Sequence, residues 1–274
     1  MLTPKKIGAL TGISRGFYGI GMAGIGIQQF INSDFRPVIW PPGWPSWVHA
    51  TPVLPYIVGA LLIAAAVFII LNRSVRKISL LLGGFLLVIA IAIQVPYVLW
   101  VQPNLAYHLG LWTDPLKELA LSGGAFTIAG LYKIERTAHR KSNLFTALEK
   151  FIPLGSIFFS VTLVTFGIDH FLYTDFVAGL VPSWFADHLF WTYFAGVALI
   201  SSGVAIILEI SIKRVSVLLC IMLFLWLVLL HIPRALHDPH SGQGNEITSV
   251  FEALAFSGIA LGIFIRYERQ AAAI

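Results

Sequence analysis

Five side chains stand where apolar membrane segments rarely carry any: Asp169, His170, His231, Arg234 and Glu252. Asp169 and His170 lie near the end of one apolar run, His231 and Arg234 at the end of another, and Glu252 about one turn inside a third. Ionisable groups within a span are costly and face a bundle interior or a wet cavity. Several of them at one depth suit a proton-handling site or a pocket for a polar-headed lipophile such as a quinone. His188, which opens the intervening run, and Glu209, which ends it, are weaker candidates. Glu209 precedes Lys213 by four residues, the order of a helix-surface ion pair, and that role is the simpler one. A metal site is a further reading, through His231, His237, Asp238 and His240, because imidazole and carboxylate suit zinc, copper or iron. The spacing of those four matches no metal motif, and a solvated outer loop is the simpler account. Haem held between His170 and His231 is another alternative. No residue acquires a catalytic role from sequence.

The elements that position these groups are membrane helices. Hydrophobic residues make up 57% of the 274 and charged residues 11%, with a mean hydropathy of +0.83. A soluble domain carries about a quarter charged residues. Eight apolar segments are expected as spans: 7–31, 52–72, 78–101, 115–132, 151–173, 188–209, 215–232 and 247–266. Most are near the ~20 residues that cross a bilayer, and none has the short alternating pattern of barrel strands. All of the 18 Lys and Arg except Arg36, Lys117 and Arg234 fall on one side of this topology. The positive-inside rule then places both termini in the cytoplasm, in a bacterial-type inner membrane. Every histidine except His139 and every tryptophan except Trp226 belongs to the other side, where the tryptophans suit an interfacial belt. Arg15 interrupts the first apolar run, so a cleaved leader is not expected there. The basic residues flank apolar segments and form no solvated stripe, which excludes nucleic acid despite a pI near 9.4. Cys220 is the single cysteine, so no intrachain disulfide forms.

The chain is also written twice. Gly26-Ile-Gln-Gln-Phe-Ile-Asn-Ser-Asp-Phe35 returns as Gly167-Ile-Asp-His-Phe-Leu-Tyr-Thr-Asp-Phe176, and Pro45-Ser-Trp47 as Pro182-Ser-Trp184. Tyr56 and Gly59 return as Tyr193 and Gly196, Gln94-Val-Pro96 as His231-Ile-Pro233, and Ser122-Gly123 as Ser257-Gly258. The expected fold is all-α: two parallel four-helix bundles, residues 1–134 and 151–274, joined by a basic cytoplasmic linker at 135–150. An even number of spans per copy makes the repeats parallel, unlike inverted-repeat transporters. The copies differ in chemistry. Asp169, His170, His231, Arg234 and Glu252 correspond to Gln28, Gln29, Gln94, Tyr97 and Lys117, so the second copy reads as the chemical half and the first as its structural partner.

Gly19-Ile-Gly-Met-Ala-Gly24 fits a dinucleotide-binding pattern, but no strand precedes it and it lies within a span. Its glycines, and those of Gly12-xxx-Gly16 and Gly258-xxx-Gly262, read as helix-packing surface.

Phe166-Gly-Ile-Asp-His-Phe171, Val181-Pro-Ser-Trp184, Tyr193-Phe-Ala-Gly196, Gly203, Glu209, His231 and Glu252 together resemble the DoxX family of four-helix membrane proteins. The resemblance covers about 155–265 well and the first half more loosely. It implies one four-helix bundle per repeat and a redox or quinone-linked accessory role beside a membrane or periplasmic partner. A carrier or channel for lipids or lipophilic small molecules is a second expectation, and a scaffold without chemistry is a third.

Overall fold

Among the residues that the computed structural model describes, 2–133, 143–240 and 244–271, all regular structure is helical. The helices are α1 (Pro4–Asn32), α2 (Val53–Ile70), α3 (Val75–Ile89), α4 (Thr113–Gly130), α5 (Asn143–Glu149) and α6 (Gly155–Leu172). They continue with α7 (Thr174–Leu180), α8 (His188–Ile207), α9 (Ile212–Trp226), α10 (Ile232–His237) and α11 (Asn245–Ala271). Residues 135–142 of the expected linker lie outside the described residues. Its remainder is α5, which docks on α3 through Leu148 against Gly84 and an Arg76–Glu149 ion pair of 3.2 Å.

Six helical stretches are long and apolar enough to cross a membrane: Val53–Ile70, Val75–Val101, Asn143–Leu172, His188–Ile207, Ile212–His237 and Asn245–Ala271. The chain is thus a multi-pass membrane protein by length and composition. Its surface agrees. Leu61, Val88, Val197 and Leu218 are exposed, while Gln28, Gln29, Glu118 and Glu252 are buried. Apolar residues outside and polar ones inside is the arrangement lipid demands. The two other expected spans, α1 and α4, are more polar. α1 is rich in glycine and carries Arg15, and α4 carries Asp114, Lys117 and Glu118 within 18 residues. Both are packed mainly against protein. α1 lies on α2 and α11, and α4 lies on α3, α6 and α11. α6 packs closely on α8 and α9 on α11, whereas α8 meets α9 only loosely.

Glycine sets the close crossings. A Cβ on Gly26 would meet the Gly59 carbonyl oxygen at 2.8 Å, and one on Gly167 would meet that of Gly196 at 2.7 Å. A Cβ on Gly123 would meet the Gly155 carbonyl oxygen at 2.5 Å, and one on Gly258 that of Ser14 at 2.7 Å. Gly19, Gly21 and Gly24 likewise face Ile70, the Phe251 carbonyl and the Phe251 ring, which accounts for that motif by packing. Gly12 and Gly16 do not share this role: a Cβ at either position meets nothing within 4 Å. Four-residue spacing alone did not reveal that this stripe points away from α11.

Other local features recur at the step of the sequence repeat. Asn72 and Ser74 have positive φ, as do Glu209 and Ser211. The chain widens into a π-helical turn at Ala90–Gln94 and again at Leu227–His231. Each turn lies just before a proline, Pro96 or Pro233, whose missing N–H removes one α-helical hydrogen bond. The Val95 N–H reaches back to the Ala90 carbonyl, and the Ile232 N–H to that of Leu227. Such turns re-aim side chains and gather at functional sites.

At the basic end, arginines satisfy the carbonyls that helix termini leave open. Arg15 donates to Ile69 and Ile70 at 2.9 Å each, Arg76 to Ala129 and Tyr132, and Arg266 to Ile152. The expected Glu209–Lys213 pair does not form. Helix α8 stops at Ile207 and Glu209 turns left-handed, so the i,i+4 geometry is lost. Lys213 pairs with Glu268 at 3.1 Å, and Glu209 accepts from the Tyr267 hydroxyl at 2.7 Å.

Gly258→Leu must push the α1 backbone away from α11 and should cost about 1–3 kcal/mol by overpacking. Gly16→Leu faces open space and should change stability by less than about 0.5 kcal/mol. Thermal unfolding of the two variants in one detergent distinguishes the positions.

Candidate functional site

The π turn ending at His231 and the inner face of α6 border a cavity of about 840 Å³. Asp169, His170, His231, Arg234 and Glu252 all line it. The sequence set thus converges on one chamber, supplied by α6, the end of α9, α10 and α11. His188 and Glu209 are not among its lining residues.

Three further charged residues complete the polar rim, and sequence reasoning had not placed them there: Asp114, Lys117 and Glu246. Lys117, on α4 of the first half, is 9% exposed and forms a 3.0 Å ion pair with Glu252, itself 4% exposed. Asp114 stands 3.8 Å from the same ammonium group. Lys117 and Glu252 occupy the same step of the sequence repeat, and the α4–α11 contact brings that step together with itself. That correspondence was the available signal. The expectation of a structural first half leaves Lys117 outside the site, whereas Lys117 lines the chamber and pairs with Glu252.

Arg234 donates through Nε to Glu246 at 2.9 Å, through Nη2 to the other oxygen of that carboxylate, and through Nη1 to the Leu180 carbonyl at 2.9 Å. This two-pronged contact is the strong form of an arginine–carboxylate pair. It also ties the end of α7 to α10 and α11. The first half also adds to the chamber wall through His108 and Gly110. The His108 ring stacks on Tyr173 at 4.6 Å, and the Leu109 N–H donates to the Tyr173 hydroxyl at 3.0 Å.

Three side chains that line the chamber each carry a buried polar atom with no hydrogen-bond partner among the described residues: Asp169 Oδ1, Glu252 Oε1 and His231 Nδ1. His170 Nδ1 lies 2.7 Å from the Phe166 carbonyl. A carbonyl only accepts, so Nδ1 carries the proton and Nε2 is left as an acceptor. Buried polar groups are normally paired, and those left over in a roomy chamber point to a ligand or water. Below the rim the walls become apolar, with Leu163, Leu199, Leu223, Trp226 and Phe256. Leu223 lies eight residues before His231, about 12 Å deeper at 1.5 Å per residue.

The four metal-reading residues separate. His231 lines the chamber, while His237 and Asp238 line a shallower hollow of about 510 Å³ beside Trp184, on α10 and the turn after it. His240 lines neither. Among the described residues, no group of three or more His, Cys, Asp or Glu side chains is placed to hold a metal ion.

In the first half the matching volume is filled by the chain itself. Phe35, Arg36, Val38 and Ile39 are all at most 4% exposed. Gln94, at the end of the other π turn, donates to the Pro37 carbonyl at 2.9 Å. His49 pins this segment, with Nδ1 2.7 Å from Asp34 and Nε2 3.1 Å from the Pro41 carbonyl. In the second half the equivalent segment is α7, which has no buried residue and leaves Phe176 70% exposed. The first half has nine residues between Phe35 and Pro45, the second five between Phe176 and Pro182. The shorter connection cannot fold inward in the same way. The first half is not free of acid, however. Glu118 is fully buried beside Gln94, and sequence reasoning missed it.

These features define an all-helical, multi-pass membrane protein with a polar-rimmed chamber. No family model, curated protein or solved structure matches the chain.

Lys117→Met leaves Glu252 charged and unpaired in the interior and should destabilise the protein by about 3–5 kcal/mol. Adding Glu252→Leu removes the orphaned charge and should recover most of that loss. A double-mutant cycle on the unfolding midpoint in detergent measures both.

Proposed function

We propose that this chain holds the head of a membrane amphiphile in the second-half chamber, as a DoxX-like accessory subunit beside a redox partner. The observation that carries the reading is the chamber's two-part lining, with charged and unpartnered polar groups at the rim and leucine and aromatic walls below. A lipophile's head would sit among Asp169, His170, His231 and Glu252, with its tail running down beside Leu199 and Leu223. A quinone is the occupant that the DoxX resemblance implies. In this reading α1 and α4 also span, giving eight helices in two parallel four-helix repeats. Both termini are cytoplasmic in a bacterial-type inner membrane, and the chamber faces outward. The recurring glycine crossings and π turns support the duplication.

A carrier of lipophilic molecules is the second reading, favoured by the apolar depth of the chamber. It requires a second polar station toward the basic end, and the walls there are apolar.

Trp191 and Trp226 line the chamber, so a short-chain benzoquinone titrated into protein in lipid nanodiscs should quench tryptophan fluorescence saturably. Ala195→Phe, which fills the apolar wall, should weaken that binding by about tenfold or more, as the clash of one added ring costs over 1.4 kcal/mol. Unsaturable quenching, equal in wild type and variant, would contradict the reading.

A further inference from the structure

The charges on the chamber wall select the kind of head it takes. Four carboxylates line it, on Asp114, Asp169, Glu246 and Glu252, against two cations, Lys117 and Arg234. Both cations are engaged. Arg234 is held by Glu246 and the Leu180 carbonyl, and Lys117 lies between Glu252 and Asp114. The unpartnered atoms that remain are chiefly acceptors. Asp169 Oδ1 and Glu252 Oε1 are carboxylate oxygens, and Glu252 is 4% exposed. His170 presents Nε2, also an acceptor when Nδ1 donates to Phe166.

An anionic head would meet this surplus of carboxylates without a free cation to receive it. A carboxylate or phosphate in that position would repel Asp169 across a poorly screened interior. A carbonyl head only accepts, so it gains nothing from these acceptors and binds more weakly than a head that donates. An ammonium head answers both deficits. It compensates the charge and can donate to the carboxylates of the wall.

Aromatic side chains also line the chamber: Phe166, Tyr173, Phe185 and Trp191. Aromatic faces beside carboxylates attract organic cations, more strongly when desolvated. The leucine-lined depth below suits an alkyl tail.

We propose that the chamber binds a lipophilic amine: a protonated ammonium head at Asp169 and Glu252 with an apolar chain toward Leu223. The inference rests on the amphiphile reading above, but not on a quinone being the occupant.

Bromine quenches tryptophan on contact, so chains brominated at the tail report occupancy at Trp226. Titrations of 12-bromododecylamine and 12-bromododecanoate into the protein in neutral-lipid nanodiscs should differ. The amine should bind saturably and about tenfold tighter or more, the worth of one favourable charge contact of about 1.4 kcal/mol. Asp169→Asn keeps the side chain's shape, removes its charge and should reduce the preference several-fold. Asp175→Asn, on the exposed face of α7, should leave it unchanged. Saturable binding with equal affinities, or tighter carboxylate binding, would overturn the amine assignment and leave the amphiphile chamber standing. Absence of saturable binding by both chains and by the quinone would overturn both. Equal effects of the two asparagine variants would overturn the placement of the head at Asp169.

Discussion

Everything in this molecule depends on a buried pair of opposite charges that neither half can complete alone. Glu252 comes from the second half and Lys117 from the first, 3.0 Å apart and nearly inaccessible to solvent. An isolated charge at that depth costs several kcal/mol, so each residue is tolerable only while the other is present. The pair fixes how α4 and α11 meet. The glycines at 123 and 258 then let α4 approach α6 and α11 approach α1 without intervening side chains. Polarity inside and leucine outside follow from the same rule: groups that need partners must find them within the protein, because lipid offers none.

The two halves share their framework but not their use of it. Each has a glycine crossing near its first turn of polar residues and a π turn before a proline. The first half closes its interior with Phe35, Val38 and Ile39 and pins that segment through His49. The second half has four fewer residues in the same connection, and its α7 buries no residue and borders the chamber without filling it. A difference in loop length therefore separates a filled bundle from an open chamber. The residues follow suit. Gln28 is buried, whereas its counterpart Asp169 lines the opening.

Much of the fold was legible because lipid leaves a strong signature in sequence. Long apolar runs gave the helices, and their limits were close to those observed. The convergence of Asp169, His170, His231, Arg234 and Glu252 was also legible, since ionisable groups at one depth in apolar runs have few other reasons to exist. What escaped was whatever depended on contacts between distant helices. Lys117 was visible as a polar residue, but its partner could be known only once α4 met α11. Glu118 lies next to it on another face of the same helix and was overlooked because its repeat counterpart, Ala253, is apolar. The i,i+4 relation of Glu209 and Lys213 failed because a left-handed residue ends the helix between them. The Gly12–Gly16 stripe failed because spacing gives a face but not its direction.

The central claim is that the second half holds an accessible chamber where the first half is filled. Single cysteines at the paired positions 28 and 169 test it, in a protein whose own Cys220 is replaced by alanine. A water-soluble maleimide applied to the protein in lipid nanodiscs should label Asp169→Cys readily and Gln28→Cys at least about tenfold more slowly, as expected for an amide site that opens only by local unfolding. Equal labelling of the two, or protection of Asp169→Cys, would contradict the account.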